Sequence, residues 1–443
     1  MKNKLQPKIG LHSATFLVVS VIIGSGVFKK IAPMAAELGA PLWVIACWVF
    51  AGLISLAGAL STAEMVSLFP NSGGEYPYFQ KIYGRFFAFL YGWSSFAVIK
   101  TAAISALAYI FAQSVNSIIP LPELANNLSV KLLASALIML LTLLNYRGVG
   151  SAEKFSRLLT YVMLAGISFF ILWGFSSPLG KIAHFQTPST LEGWSLVKAM
   201  MVASLGAFWG YEGWNNIGFI GEEIKNPQVN LPRALAMGTM IVIAAYVLLN
   251  LVFVYVLPID FFVQLNNSPN KIAAIEVARS LGGPWGVGLV GGLILITTLN
   301  ATNSTILMSA RIIYAMSRDR LFFRIADTVH PRHNTPHIAL ILQGIWAVAL
   351  IFTGSFDQLT DMLVFASFLF YGSSALGVII YRFREPTVER IYRVWGYPWI
   401  PLVFIFFCAA LFVLTVINQP REAAIGLGLI ATGLPVYFFL PKK

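Results

Sequence analysis

Two short runs place flexible or charged residues where an apolar chain tolerates them least. The first is Ile22-Ile23-Gly24-Ser25-Gly26-Val27-Phe28, in the middle of an apolar stretch from about 15 to 42. Glycine adopts unusual dihedrals cheaply and serine satisfies a freed backbone group, so the triplet lets a helix break at membrane depth. The N–H groups of Ser25, Gly26 and Val27 then point unpaired into the gap, where a helix start carries about half a positive charge. That is chemistry for a carboxylate. Carbonyls ending the preceding half-helix, around Val21 and Ile22, have the opposite polarity and suit an ammonium group. The two ends together describe an amino acid, although the triplet alone fits a small-residue packing face between helices equally well.

The second run, Trp209-Gly210-Tyr211-Glu212-Gly213-Trp214-Asn215, interrupts another apolar stretch, about 196 to 220. Its glycines permit unwinding, and its aromatics are large enough to cover a cavity, with Trp209 or Tyr211 as the lid. Glu212 is an ionisable group in mid-span, and such groups are costly enough in lipid to be functional by default. Three roles fit it: capping freed N–H groups, attracting a substrate ammonium, or carrying a coupling proton. Lys100, between Ile99 and Thr101, is the other charge deep in an apolar segment. Both pairing with a carboxylate and snorkelling are compatible with its position.

The elements that hold these runs follow from composition. With 58% hydrophobic residues, 11% charged and mean hydropathy +0.76, the preferred surroundings of the chain are lipid. A window of about 19 residues resolves twelve apolar runs. They are continuously apolar and of helical span length, about 20 residues, whereas barrel strands alternate over about ten. The expected class is therefore an all-α polytopic membrane protein with twelve transmembrane helices. Helices 1 and 6 are discontinuous and open two groups of five, 15–176 and 196–381. An odd number of spans per group makes the pair an inverted five-plus-five repeat. Two appended helices occupy 399–440, and 1–14 is an N-terminal segment.

The formal net charge of +12 is topological. Most Lys and Arg fall on one set of alternating segments, including Lys2, Lys4, Lys8, Arg311, Arg318, Arg320, Arg324, Arg332, Arg382, Arg384, Arg390, Arg393, Lys442 and Lys443. The positive-inside pattern places both termini in the cytoplasm of a multi-pass plasma-membrane protein and argues against nucleic acid. Cys47 and Cys408, in separate spans, imply no disulfide framework. No HExxH, Gly-x-Ser-x-Gly or aspartate-rich loop supports an enzyme, and no cofactor is expected. His330, His333 and His337 fall in a loop and are not expected to bind metal. Glu64, Glu75, Glu222 and Glu223 flank cytoplasmic span ends, where carboxylates more often cap or pair than move protons, with a role in inward gating as the alternative. Lys29 and Lys30 could attract anions from outside, and a solvated outer half-helix explains them as well.

Several longer runs carry a resemblance: IIGSGVF (22–28), AEMVSLFPNSGGEYPYF (63–79), NYRGVGSAEKFS (145–156), YEGWNNIGFIGEEIKNPQVNLPRA (211–234), MSRDRL (316–321) and HPRHNTP (330–336). Over nearly its whole length the chain resembles the amino acid-polyamine-organocation superfamily, nearest the L-type amino acid transporter branch. The resemblance implies an amino acid held between spans 1 and 6. Its carboxylate would meet Ser25 and Gly26, and its ammonium the carbonyls of Ile22 and Trp209, together with Glu212. Trp209 falls at the family's aromatic gate, Lys100 at a basic position of the third span and Asn303 at an asparagine of the eighth near the substrate. Met163 stands where many members carry a lysine that props the sodium site, which keeps exchange, proton coupling and sodium coupling open, with the first two ahead. Amine or polyamine transport by the same fold is a further alternative. The segment 116–128 has no cysteine, so no disulfide-linked heavy chain is expected. The functional expectation is secondary-active transport of a neutral L-amino acid.

Overall fold

The computed structural model describes residues 7, 9–71, 73–147, 152–268, 271–333, 335–354 and 356–440. Lys2, Lys4, Lys8, Lys442, Lys443, residues 148–151 of the third motif and the Lys154 side chain lie outside the described residues. Helices follow one another in the order α1 (Leu11–Ile22), α2 (Gly26–Lys29), α3 (Ile31–Leu38), α4 (Pro41–Leu68), α5 (Glu75–Tyr83), α6 (Arg85–Ser94), α7 (Lys100–Ile118), α8 (Leu128–Tyr146) and α9 (Ala152–Phe175). Then come α10 (Gly193–Tyr211), α11 (Pro227–Val256), α12 (Ile259–Leu265), α13 (Ala273–Arg318), α14 (His337–Ile351), α15 (Phe356–Arg384), α16 (Trp399–Asn418), α17 (Pro420–Ala431) and α18 (Gly433–Phe439). Among the described residues the one β feature is a parallel bridge between Ile9 and Ile224.

Among the described residues nine helical segments are long and apolar enough to cross a bilayer, and two shorter apolar ones, His337–Ile351 and Ala423–Phe439, accompany them. Length and polarity account for the other three expected spans: α14 has 15 residues, the last is divided into α17 and α18 with 12 and 7, and α10, with 19, includes Ser195 and Lys198. The segment Arg85–Ile118 is 89% buried over its apolar window against 33% for α8 and α16, so α7 is central and the others peripheral. Outward residues of the peripheral helices are large and apolar, including Leu132, Leu143, Phe169, Leu172, Phe406 and Ile417. In lipid that exposure costs nothing.

Packing places the two broken segments together at the centre. The long helix α4 lies along α11, and α13 lies along α7. α1 packs against α11, α13 and α9. The first break falls at residues 23–25, and the chain becomes helical again at Gly26. The second is narrower than the sequence suggests: Trp209, Gly210 and Tyr211 remain in α10, and the backbone departs at Glu212 (φ −61°, ψ 143°) and Gly213 (φ 109°). A 3₁₀ helix, Trp214–Glu223, follows. Gly213 alone supplies the left-handed turn, and a Cβ there would lie 2.7 Å from Val21 Cγ1. A Cβ on Gly26 would lie 2.4 Å from the Gly210 Cα, so the two segments touch backbone to backbone.

Candidate functional site between the two breaks

The gap left where the helices part is lined by Val21, Ile22, Gly24, Ser25 and Gly26 from the first break and by Trp209, Glu212, Gly213 and Asn216 from the second. Lys100, Ala103 and Leu107 of α7 and Thr305 of α13 close the sides. Its free volume is about 20 Å³, on the order of one water. Among the described residues no hydrogen-bond acceptor meets the N–H groups of Ser25, Gly26 and Val27, and no donor meets the Val21 carbonyl. Unpaired backbone groups at this depth cost several kcal/mol unless something fills the space, on the order of a lost hydrogen bond each. The Ile22 carbonyl differs. It accepts from the Gly24 N–H at 2.8 Å and from the Tyr246 hydroxyl at 2.9 Å, which uses both lone pairs.

On one side the cavity is bounded by charge. The Lys100 ammonium stands 3.3 Å from Glu212 Oε1 and donates to Asn216 Oδ1 at 2.7 Å. It also lies 5.5 Å from the centre of the Phe219 ring, within cation–π range. The Tyr371 hydroxyl sits 2.7 Å and 2.9 Å from the two Glu212 oxygens and 3.2 Å from Asn215 Oδ1. Asn215 Nδ2 in turn donates to Glu75 Oε2 at 3.0 Å, so a polar chain runs from the cavity to α5. A π-helical turn, Ser95–Ile99, precedes Lys100 and sets its register. Such bulges recur at functional positions because they re-aim one side chain without ending the helix.

Trp209 closes the cavity. Its indole N–H donates to Ser25 Oγ at 3.3 Å, bridging the two breaks, and its ring packs edge-on against Phe356, 6.0 Å between centres. Above Phe356 stand Lys29 and Lys30, with ammonium groups 4.7 Å and 5.1 Å from the ring centre. Both lysines are buried, contrary to the solvated half-helix expected for them. Lys29 donates to Gln113 at 3.1 Å, and Lys30 to Thr360 at 2.9 Å while lying 3.7 Å from Asp361.

On the opposite side, where Ile9 bridges to Ile224, a second set of contacts closes the bundle. Glu64 accepts from Arg382 at 2.6 Å and 2.9 Å and from the Val394 N–H at 2.8 Å, with Arg390 at 3.3 Å. Arg311 forks onto Glu223 at 2.7 Å and 3.2 Å, and Tyr76 donates to Asp319 at 2.9 Å. His330, His333 and His337 pack around Tyr146 edge-on or tilted. Loss of solvent, and after it the neighbouring charges of His333, His337 and Arg332, hold His330 below its ordinary value.

Of the residues singled out in the sequence, Ile22, Ser25, Gly26, Trp209, Glu212 and Lys100 border the cavity. Four others do not. Val27 contributes to the first break without lining the gap; Tyr211 packs against Trp48 and Tyr246 and donates to the Trp48 carbonyl at 3.1 Å. Asn303 accepts from Asn145 at 2.8 Å, and Met163 is fully buried in α9. Asn216, Thr305, Tyr246 and Tyr371 were missed. Tyr371 left one signal, a hydroxyl within the apolar run 362–371, but nothing in sequence ties it to Glu212, 159 positions away.

Comparison with known proteins shows the family. The amino acid permease family matches residues 9–440, almost the whole chain. The b(0,+)-type amino acid transporter 1 of Mus musculus is 29% identical over 444 residues, covering 98% of this chain and 88% of that protein. The serine/threonine exchanger SteT of Bacillus subtilis (strain 168) is 29% identical over 448 residues, covering 100% and 98%. The large neutral amino acids transporter small subunit 2 of Homo sapiens is 27% identical over 451 residues, covering 98% and 80%. These relatives are transporters and not enzymes. An apolar helical bundle with two adjoining breaks, matched along its length by amino acid transporters, belongs to the amino acid permease family.

Proposed function

We propose that the chain is a secondary-active transporter moving neutral L-amino acids across the plasma membrane by alternating access, through exchange or proton coupling. The observation that carries this reading is the set of three consecutive unpartnered N–H groups, Ser25, Gly26 and Val27, opposite the unpartnered Val21 carbonyl. The substrate carboxylate docks on the amides of Ser25 and Gly26, with Val27 completing the turn. Its ammonium meets the Val21 carbonyl and the Trp209–Glu212 end of the second break, with Ile22 shaping the wall. Trp209 is the gate, and its bulk favours small side chains.

Neutral substrates fit the charge balance. Lys100 and Glu212 cancel beside the cavity. The named substrates of the relatives, serine and threonine for one and large neutral amino acids for another, point the same way. In this reading twelve helices cross the membrane as an inverted five-plus-five repeat with two appended. Both termini are cytoplasmic, and spans 1, 2, 6 and 7 rock against the rest. The Glu64–Arg382 and Arg311–Glu223 contacts form the inner seal, and Phe356 with its two lysines forms the outer one.

The test is uptake of a labelled amino-acid panel into proteoliposomes under a sodium gradient, a proton gradient, or preloading with unlabelled substrate. Stimulation by preloading or by protons is expected for neutral amino acids. No transport of any amino acid under all three conditions contradicts the reading.

A further inference from the structure

Glu75 begins α5, between the spans α4 and α6–α7, and is 1% exposed. Its Oε2 accepts from the Tyr91 hydroxyl at 2.6 Å and from Asn215 Nδ2 at 3.0 Å, whereas its Oε1 is buried without a hydrogen-bond partner among the described residues. Two donors satisfy one oxygen, as they satisfy the carbonyl oxygen of a neutral acid. An ionised carboxylate out of water needs donors on both. The groups facing it are Tyr78 of α5, Tyr91 of α6, Lys100 of α7, Asn215 and Glu212 of the second break, and Tyr371 of α15. Lys100, the cation among them, is committed to Glu212 and Asn216. The Tyr78 hydroxyl is engaged with Ser374 at 2.7 Å.

Burial dominates this balance. It pushes the Glu75 carboxyl from 4.5 up to about 7, against the opposing pull of the Tyr91 hydrogen bond, the Lys100 charge, the Asn215 amide and the neighbouring Tyr78 hydroxyl. Asn215 holds Glu75 through Nδ2 while its Oδ1 meets Tyr371, which holds Glu212 at the cavity wall. Any movement of the second break therefore changes what Glu75 touches.

We propose that Glu75, rather than Glu212, is the proton-binding site of the transport cycle. It carries a proton while the bundle is closed and releases it to water on the α5 side when the inner seal opens, so that an inward proton gradient drives amino acid accumulation. The O–H bond at Oε1 breaks, the proton leaves on water, and a hydrated carboxylate remains. Reprotonation occurs through the cavity when the outer side is open. The closed state binds this proton more tightly than a hydrated Glu75 does. Closure is therefore strongest below about 4.5, weakens as pH rises towards about 7, and levels off above.

This rests on the transport reading above, and one experiment separates the two. The wild-type protein, E75Q and Y91F are reconstituted in liposomes and assayed with labelled L-serine, L-alanine and L-leucine. Each is assayed by exchange against preloaded substrate and by accumulation under an inward proton gradient. The wild type is expected to concentrate substrate up to about tenfold per pH unit for one proton per amino acid. E75Q is expected to exchange without pH dependence between about 5 and 8 and to show no proton-driven accumulation. In Y91F the midpoint of the pH dependence moves upward, because the carboxylate loses a donor. Wild-type exchange that ignores the proton gradient, accumulation by E75Q, or an unshifted midpoint in Y91F overturns the proposal. The Y91F midpoint decides the matter if E75Q does not fold. Absence of wild-type exchange for all three substrates overturns the transport reading beneath it.

Discussion

The indole N–H of Trp209 reaches the hydroxyl of Ser25 at 3.3 Å, joining residues that the chain separates by 184 positions and bridging the two helix breaks. One side chain thereby lines the cavity and ties the two breaks together. Trp209→Phe removes this hydrogen bond and part of the ring volume. The expected outcome is a relative gain of about tenfold in uptake of large neutral amino acids over small ones, the discrimination typical of a pocket altered by a few heavy atoms. Competition of leucine against labelled serine in proteoliposomes measures it. An unchanged ratio means that Trp209 does not size the substrate.

The Lys100–Glu212 pair is buried on both sides, at 3% and 8% exposure. Removing one partner strands a charge, so Lys100→Met or Glu212→Gln alone is expected to destabilise the protein, by about 3–5 kcal/mol for Lys100→Met. The double variant should recover most of that loss. Thermal unfolding in detergent checks it, and additive losses in the double variant would show that the pair is not coupled.

Legibility in sequence followed the range of the interaction. The breaks were readable because their cause is local: Gly24, Ser25 and Gly26 in one run, Glu212 and Gly213 in the other. The end of α10 was misplaced because glycine at 210 signals unwinding. There it instead permits close approach, with a Cβ 2.7 Å from the Trp48 ring and the Gly26 backbone on its other side. Lys100 was visible as an anomaly but not as a partner of Glu212, and the π turn that aims it has no residue signature in Ser95–Ile99. Tyr246, whose hydroxyl joins the carbonyls of Ile22 and Gly210 at 2.9 Å each, was unreadable, because an apolar helix offers many tyrosine-sized positions and only the fold selects one. Glu75 read as a cap because it follows a glycine pair at a span end, and its burial is a tertiary fact.

Arg382→Ala opens the inner seal by removing the guanidinium from Glu64. A shift of about 1 kcal/mol towards the inward-open state changes its population about fivefold. Labelling of a Thr305→Cys background by a membrane-impermeant thiol reagent from the α5 side should accelerate by about that factor, since Thr305 borders the cavity and both native cysteines are buried. Unchanged labelling would place the seal elsewhere.

The central claim, that an amino acid carboxylate sits on the amides of the first break, is tested most directly by equilibrium binding of a transported labelled amino acid to the Ser25→Leu variant. Its recovery as folded protein is verified by thermal unfolding. Leucine at 25 fills the gap and denies the carboxylate its charge-assisted hydrogen bonds, which should weaken affinity by about a hundredfold. Affinity within about twofold of the wild type in the folded variant would contradict the account and place the substrate outside the two breaks.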